Sequence, residues 1–190
     1  MKEKDIQEKI VNAFIRIFNV KGHKTTLDEV AASIHISKKT IYKYFKNKAA
    51  IYDYVLVTAG DEIAKRQSQI FNDKDLSTKE KLYRILTITT SREKQIDISL
   101  VSDLGEAEPE FANRLKIAYE KRWQYFILLV NQGRRDGTLK PDTKADFLVH
   151  LLSSGMEMLY EKDFLRRNKI TYTDGIMLLA DTILSGVMIQ

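Results

Sequence analysis

The 190-residue chain has no cysteine, eight glycines and two prolines, so Gly plus Pro falls well under half of the roughly 12% of average usage. That shortage excludes turn-rich all-β folds. The absent thiols exclude a disulfide framework and fit a reducing compartment, and a hydrophobic content of 44% excludes a disordered chain. The net charge of +5 is unevenly placed: residues 1–50 hold eleven basic and five acidic side chains, leaving 20 and 21 for the rest. Such asymmetry points to a nucleic-acid or membrane contact confined to the first quarter of the chain.

In chain order, Ile6, Ile10, Ala13, Phe14, Ile17 and Phe18 recur at three- and four-residue steps and predict the buried stripe of a first helix, which Gly22 ends. Thr26 and Glu29 have capping-box spacing and open a short second helix that buries Leu27, Val30, Ala31 and Ile34. Ser37 caps a third helix with Ile41 and Phe45 inward, and Asn47 caps a fourth carrying Ile51, Val55 and Ala59. Two short helices joined by three residues, behind a longer supporting helix, have helix-turn-helix spacing. Beyond residue 72 the periodic segments lengthen. Thr78 to about Arg92 predicts one helix, and Ile96 to Leu104 a short apolar piece. Pro109 then starts a helix whose face runs from Phe111 through Trp123 and Phe126 to Val130. A turn-rich stretch, Gln132 to Pro141, precedes two apolar helices, about Thr143 to Arg167 and Thr173 to Met188. The expectation is an all-α protein of about nine helices.

Lys38, Lys39, Lys43, Lys46 and Lys48 lie in one stretch without an acid, interleaved with Thr40, Tyr42 and Tyr44. Lys38 and Lys39 follow the Ser37 cap and Lys48 follows Asn47, so these cations occupy first turns. There they oppose the helix dipole by roughly 0.3–1 kcal/mol each. An arrangement that repeats this expects an anion, and a DNA phosphate meeting helix N-terminal N–H groups fits it. With Ile41 and Phe45 inward, Lys38, Lys39, Tyr42 and Lys43 face outward, toward a major groove.

The stretch from Ile10 to Tyr52 resembles the DNA-binding domain of TetR/AcrR-family transcriptional repressors. The resemblance rests on Phe18/Gly22, Thr25-Thr26, Val30-Ala31, Ile36-Ser37, the run Thr40-Ile41-Tyr42-Lys43-Tyr44-Phe45, and Lys48. It implies an N-terminal three-helix DNA-binding domain over residues 1–48, with the helix-turn-helix at about 27–46, and a helical ligand-binding and dimerisation domain over 49–190. It assigns Thr26, Tyr42, Tyr44 and Lys48 to phosphates, and Lys38, Lys39, Thr40 and Lys43 to base edges or nearby phosphates, with the cap Ser37 in the same set. His35 stands where the family commonly has Gly in the turn. That position tends to need positive φ, which His tolerates better than most residues.

The family also implies a homodimer through the last two helices, whose apolar faces are wider than one core stripe needs: Phe147, Leu148, Leu151, Leu152, Met156 and Leu159, with Ile176, Leu179, Ile183 and Val187. Ser153, Ser154, Gly155 and Gly186 would let partner helices approach closely. The implied partners are a palindromic double-stranded DNA operator and a small-molecule inducer of unknown identity. Large side chains on inward faces, Phe71, Tyr83, Tyr119, Trp123, Phe126 and Met156, are candidates to line the inducer site, with Arg122 and Glu157 as polar orienting groups. No cofactor and no metal is expected. His23, His35 and His150 lack ligand spacing, and Asp103, Glu106, Glu108 and Glu110 around Pro109 suit a helix N-terminus. With no phosphate loop or nucleophile-base pattern the chain reads as a regulator, not an enzyme. The opening MKEKDIQEKI mixes acids and bases before any apolar run, unlike a signal or transit peptide. The longest apolar runs are about five residues, short of the ~18 of a membrane span, so a cytoplasmic location without membrane contact is expected. A helical small-molecule-binding or interaction module with a basic face, or an activator on the same scaffold, remain the alternatives.

Overall fold

The computed structural model describes residues 3–97, 99–120, 122–161 and 164–189, without the side chains of Glu3, Ser99 and Tyr119. Among them are eleven α-helices, one 3-10 turn and an isolated β-bridge between Leu139 and Met188. The chain groups into two compact units, Met1–Ala59 with Ser91–Ile117, and Gly60–Thr90 with Ala118–Gln190.

The first unit contains α1 (Glu3–Lys21), α2 (Leu27–Ser33), α3 (Lys38–Tyr44), the start of α4 (Lys48–Asn72), α6 (Ser99–Ala107) and most of α7 (Pro109–Glu120). Helix α1 buries Ile10, Val11, Phe14 and Phe18 on one stripe against Val30, Ile41, Ile51 and Leu104. Gly22 (φ 57) turns the chain out of α1 into the 3-10 turn Gly22–Lys24. Thr26 closes the predicted capping box, accepting from Glu29 N at 3.3 Å while its own N–H donates to Glu29 Oε2 at 3.1 Å. Helix α2 ends in a Schellman motif, in which Ile36 N donates to Ala31 O and His35 N to Ala32 O. His35 is the left-handed residue of that motif, at φ 54, as the glycine-like position predicts. Ser37 then caps α3 by accepting from Thr40 N at 3.0 Å, and Asn47 caps α4 by accepting from Ala50 N at 2.9 Å. Deeper in this unit Arg92, buried, pairs with Glu8 and donates to Asn12 Oδ1 at 2.7 Å. The Tyr54 hydroxyl donates to the same Glu8 carboxylate at 2.9 Å.

The second unit contains the rest of α4, α5 (Thr78–Leu86), α8 (Trp123–Asp136), α9 (Ala145–Tyr160), α10 (Phe164–Asn168) and α11 (Tyr172–Val187). Leu82, Ile85, Phe126, Leu129, Leu152 and Ile176 are buried in it. Thr78 Oγ1 donates to Asp136 Oδ2 at 2.6 Å and accepts from Gln132 Nε2 at 3.1 Å, tying α5 to the end of α8.

Three predicted helices are corrected. The helix from Thr78 stops at Leu86, not Arg92: Thr87, Ile88, Thr89 and Thr90 are consecutive β-branched residues with poor helix propensity. The freed carbonyls of Ile88 and Thr89 accept from the Arg122 and Arg66 guanidiniums instead. The helix starting at Pro109 does not run on to Val130; it ends at Glu120 and α8 restarts at Trp123. Between them the Arg122 carbonyl accepts from the Gln67 side-chain amide at 2.9 Å. The segment from Thr143 to Arg167 divides into α9 and α10, because Glu161 takes extended backbone at ψ 134. Periodicity alone could not detect these breaks, since the apolar positions stay in phase across them.

Candidate nucleic-acid interface

Helix α3 is anchored on one side only. Ile41 and Phe45 are fully buried in the first unit's core, and Phe45 meets the Tyr54 ring edge-on at 5.6 Å. The opposite side exposes Lys38, Lys39, Tyr42 and Lys43, with Tyr42 47% exposed. Tyr44 is half-buried, and the Lys43 ammonium lies 5.6 Å from its ring centroid. Neither α3 nor α4 carries an acid in its first turn, so the positive ends of both dipoles coincide with lysines. The face is thus a compact cationic surface with aromatic hydroxyls, able to hold phosphates.

The remaining predicted contact residues border this face in different states. The Thr26 hydroxyl is engaged in its capping box, donating to Glu29 Oε2 at 3.0 Å. Glu29, which also pairs with Lys21, is held below its usual carboxylate range by that lysine first and by Thr26 second. Ser37 and Thr40 share a hydroxyl–hydroxyl bond of 2.8 Å. Lys38 pairs with Asp28 at 2.8 Å across the turn, which raises its ammonium pKa; the pair is exposed and weak. Lys48 is half-buried and donates to the His23 carbonyl at 2.7 Å, with Glu108 Oε1 at 3.0 Å. Sequence reasoning read Glu108 only as an acid at a helix start.

The predicted inducer residues are less tightly grouped. Trp123 and Met156 line a small cavity of about 10 Å³ in the second unit, with Gln67, Ile85, Leu86 and Arg122. Phe126 is completely buried behind Trp123, ring centroids 5.9 Å apart, and Phe71 pairs with Tyr125 at 5.3 Å. Tyr83 is half-buried, Glu157 is exposed, and the side chain of Tyr119 lies outside the described residues. Gln67 was missed. Its signal was a polar residue four positions after Ile63 and four before Phe71 on α4, where the apolar stripe should continue. Among the described residues no three His, Asp or Glu side chains could hold a metal ion, and no helix is long and apolar enough to cross a membrane.

The sequence pattern of bacterial regulatory proteins of the tetR family matches residues 10–55, which covers α1 from Ile10 onward, the capped α2–α3 pair and the start of α4. Over these residues the chain is similar to that family. Likeness to known transcriptional regulators also extends beyond the matched segment. The chain is 18% identical over 182 residues to YvaF of Bacillus subtilis, an uncharacterised HTH-type transcriptional regulator, covering 96% of this chain and 95% of that one. It is 39% identical over 49 residues to IcaR of Staphylococcus aureus, the negative transcriptional regulator of a biofilm operon, covering 25% and 26%. The fold matches that of the transcriptional regulator FadR from Bacillus subtilis, solved in complex with stearoyl-CoA, with a TM-score of 0.70, 16% identity and coverage of 94% and 98%.

Proposed function

We propose that the chain is a homodimeric repressor that binds a palindromic operator and is released from it by a small-molecule effector. The observation that carries this reading is the division of α3, with Ile41 and Phe45 buried and Lys39, Tyr42 and Lys43 exposed above a first turn free of acids. Residues 1–48 then form the DNA-binding domain, and residues 49–190 serve effector binding and dimerisation. Ser37, Lys38, Lys39, Thr40 and Lys43 read base edges or nearby phosphates, while Thr26, Tyr42, Tyr44 and Lys48 contact the backbone. Repression is supported by IcaR, a negative regulator similar over the DNA-binding part. Dimerisation is supported by α9 and α11, which expose Phe147 (65%) and Leu178 (55%) beside Leu151 and Met177. Apolar side chains so grouped favour a second copy over water.

The ligand-bound FadR supports an effector. A cavity of about 10 Å³ has room for roughly one water, whereas effector sites span about 300–1,000 Å³. Effector binding therefore selects a state in which Trp123 and Met156 have moved apart, and release of DNA follows as a population shift. The reading makes the protein a cytoplasmic regulator without catalytic activity.

The test is binding to DNA flanking the protein's own gene, measured by footprinting and by affinity across salt concentrations. One protected duplex, with affinity falling steeply as salt rises, supports the repressor reading. Tyr42→Ala is expected to weaken that binding about tenfold with the melting temperature unchanged; wild-type affinity in this variant would refute the contact assignment.

A further inference from the structure

Lys48 opens α4 on the cationic face, yet its ammonium is held on three sides. It donates to the His23 carbonyl at 2.7 Å, meets Glu108 Oε1 at 3.0 Å and lies 5.8 Å from the centroid of the Tyr52 ring. Glu108 comes from the junction of α6 and α7, directly before Pro109. An acid there would ordinarily serve the N-terminus of its own helix, but this one reaches to α4. Tyr52 is buried against Phe14, Phe18 and Phe111. Its hydroxyl is a buried polar group without a hydrogen-bond partner among the described residues. Burial first, and the negative charge of Glu108 second, push the Tyr52 phenol well above its usual range, so the hydroxyl remains a donor. All of these residues belong to the first unit.

A phosphate arriving at Lys48 competes with Glu108 for one ammonium and meets a like charge beside it. Breaking the Lys48–Glu108 pair without replacement would leave a half-buried carboxylate unpaired, which is costly. Tyr52 supplies the replacement: its O–H lacks an acceptor among the described residues, and its ring lies beside the same Lys48 ammonium that Glu108 pairs with. The exchange leaves every group satisfied, with phosphate on Lys48 and the carboxylate on Tyr52. We propose that Glu108 is a reversible latch on Lys48, holding the ammonium in the free protein and turning to the Tyr52 hydroxyl when an operator phosphate takes it. The latch rests on the DNA-binding reading above. Glu108 is a positioning residue, acting on DNA only through Lys48, and it sets how readily the cationic face accepts a backbone phosphate.

The test uses the full chain and a duplex that the wild-type protein selects from a random-sequence pool. Glu108→Gln keeps the shape and removes the charge. It is expected to tighten binding about fivefold and to leave the slope of log affinity against log salt unchanged, because the wild-type complex already places Lys48 on the phosphate. In a Lys48→Gln background the same change is expected to alter neither quantity, which separates a latch from general loss of negative charge. Tyr52→Phe removes the alternative partner and is expected to weaken binding about threefold while the melting temperature holds or rises. Equal gains from Glu108→Gln in both backgrounds, or none in either, overturn the latch. If Glu108→Gln does not fold, Tyr52→Phe decides, an unchanged affinity overturning the proposal. A wild-type chain that selects no duplex overturns the DNA-binding reading and the latch with it.

Discussion

The two compact units leave different things at their surfaces. In the first, the apolar side chains of α1, α2 and α3 converge on one core, and what faces outward from α3 is lysine and tyrosine. In the second, α9 and α11 bury Leu148, Leu152, Ile176 and Ile183 but still expose Phe147, Leu151, Met177 and Leu178. The first unit packs α1, α2 and α3 into one core and gathers its exposed cations on α3. The second is incomplete in its packing. An anion completes one and an apolar surface the other, so each kind of partner is addressed by a different kind of deficit.

That contrast can be broken most severely from inside the first unit. Ile41→Ala, one residue from the exposed Tyr42, is expected to lower stability by about 2–5 kcal/mol, read from the denaturant midpoint. A small loss would mean that α3 is not anchored as its burial indicates. In the second unit Phe147→Glu is expected to weaken self-association about 100-fold while leaving the monomer's helical content intact, which sedimentation and circular dichroism together check. A dimer that tolerates this charge would place the interface elsewhere.

Smaller effects test the caps that both units share. Thr171, the cap of α11, accepts from Asp174 N at 3.1 Å, and Thr171→Ala is expected to cost about 1 kcal/mol. Hydrogen bonds from Ser77 hold the Glu80 carboxyl below its ordinary 4.5, and those from Thr171 hold Asp174 below 3.8. Because the folded values are depressed, this stabilisation is present above the ordinary values and disappears as pH falls through the folded ones. Glu80→Gln should therefore lower the urea midpoint near neutral pH and converge with wild type in acid. A constant difference at all pH values would deny the capping carboxylate its role. The smallest change is His35→Gly, expected to stabilise by about 0.5 kcal/mol as relief at φ 54 outweighs added unfolded-state entropy. A drop in thermal midpoint would show that the His35 side chain contributes more than its backbone strain removes.

Much of the first unit was legible because its signals are local. Thr26 with Glu29, Ser37 before Lys38, and Asn47 before Lys48 are caps whose chemistry lies within four residues, and each forms as its spacing predicts. The break after Glu120 was not legible, and the one after Leu86 had only the β-branched run Thr87, Ile88, Thr89 and Thr90 to mark it. They depend on Arg66, Arg122 and Gln67 reaching backbone carbonyls far along the chain. Gly155 illustrates the same limit. As a small residue it promised close approach of a partner helix, whereas a Cβ there would meet Leu179 of the same chain at 2.6 Å.

The amino-acid sequence by itself determined the helical class, the cationic first quarter, the capped bihelical motif and the left-handed turn at His35. These follow from periodicity, charge and short-range hydrogen bonds. Only the tertiary structure decided that Lys48 is held by Glu108, that the Tyr52 hydroxyl has no partner among the described residues, and that Gln67 and Arg122 share a cavity wall with Trp123. Those facts arise where segments distant in the chain meet, and the energy of a contact depends on atomic distance, which separation along the sequence does not encode.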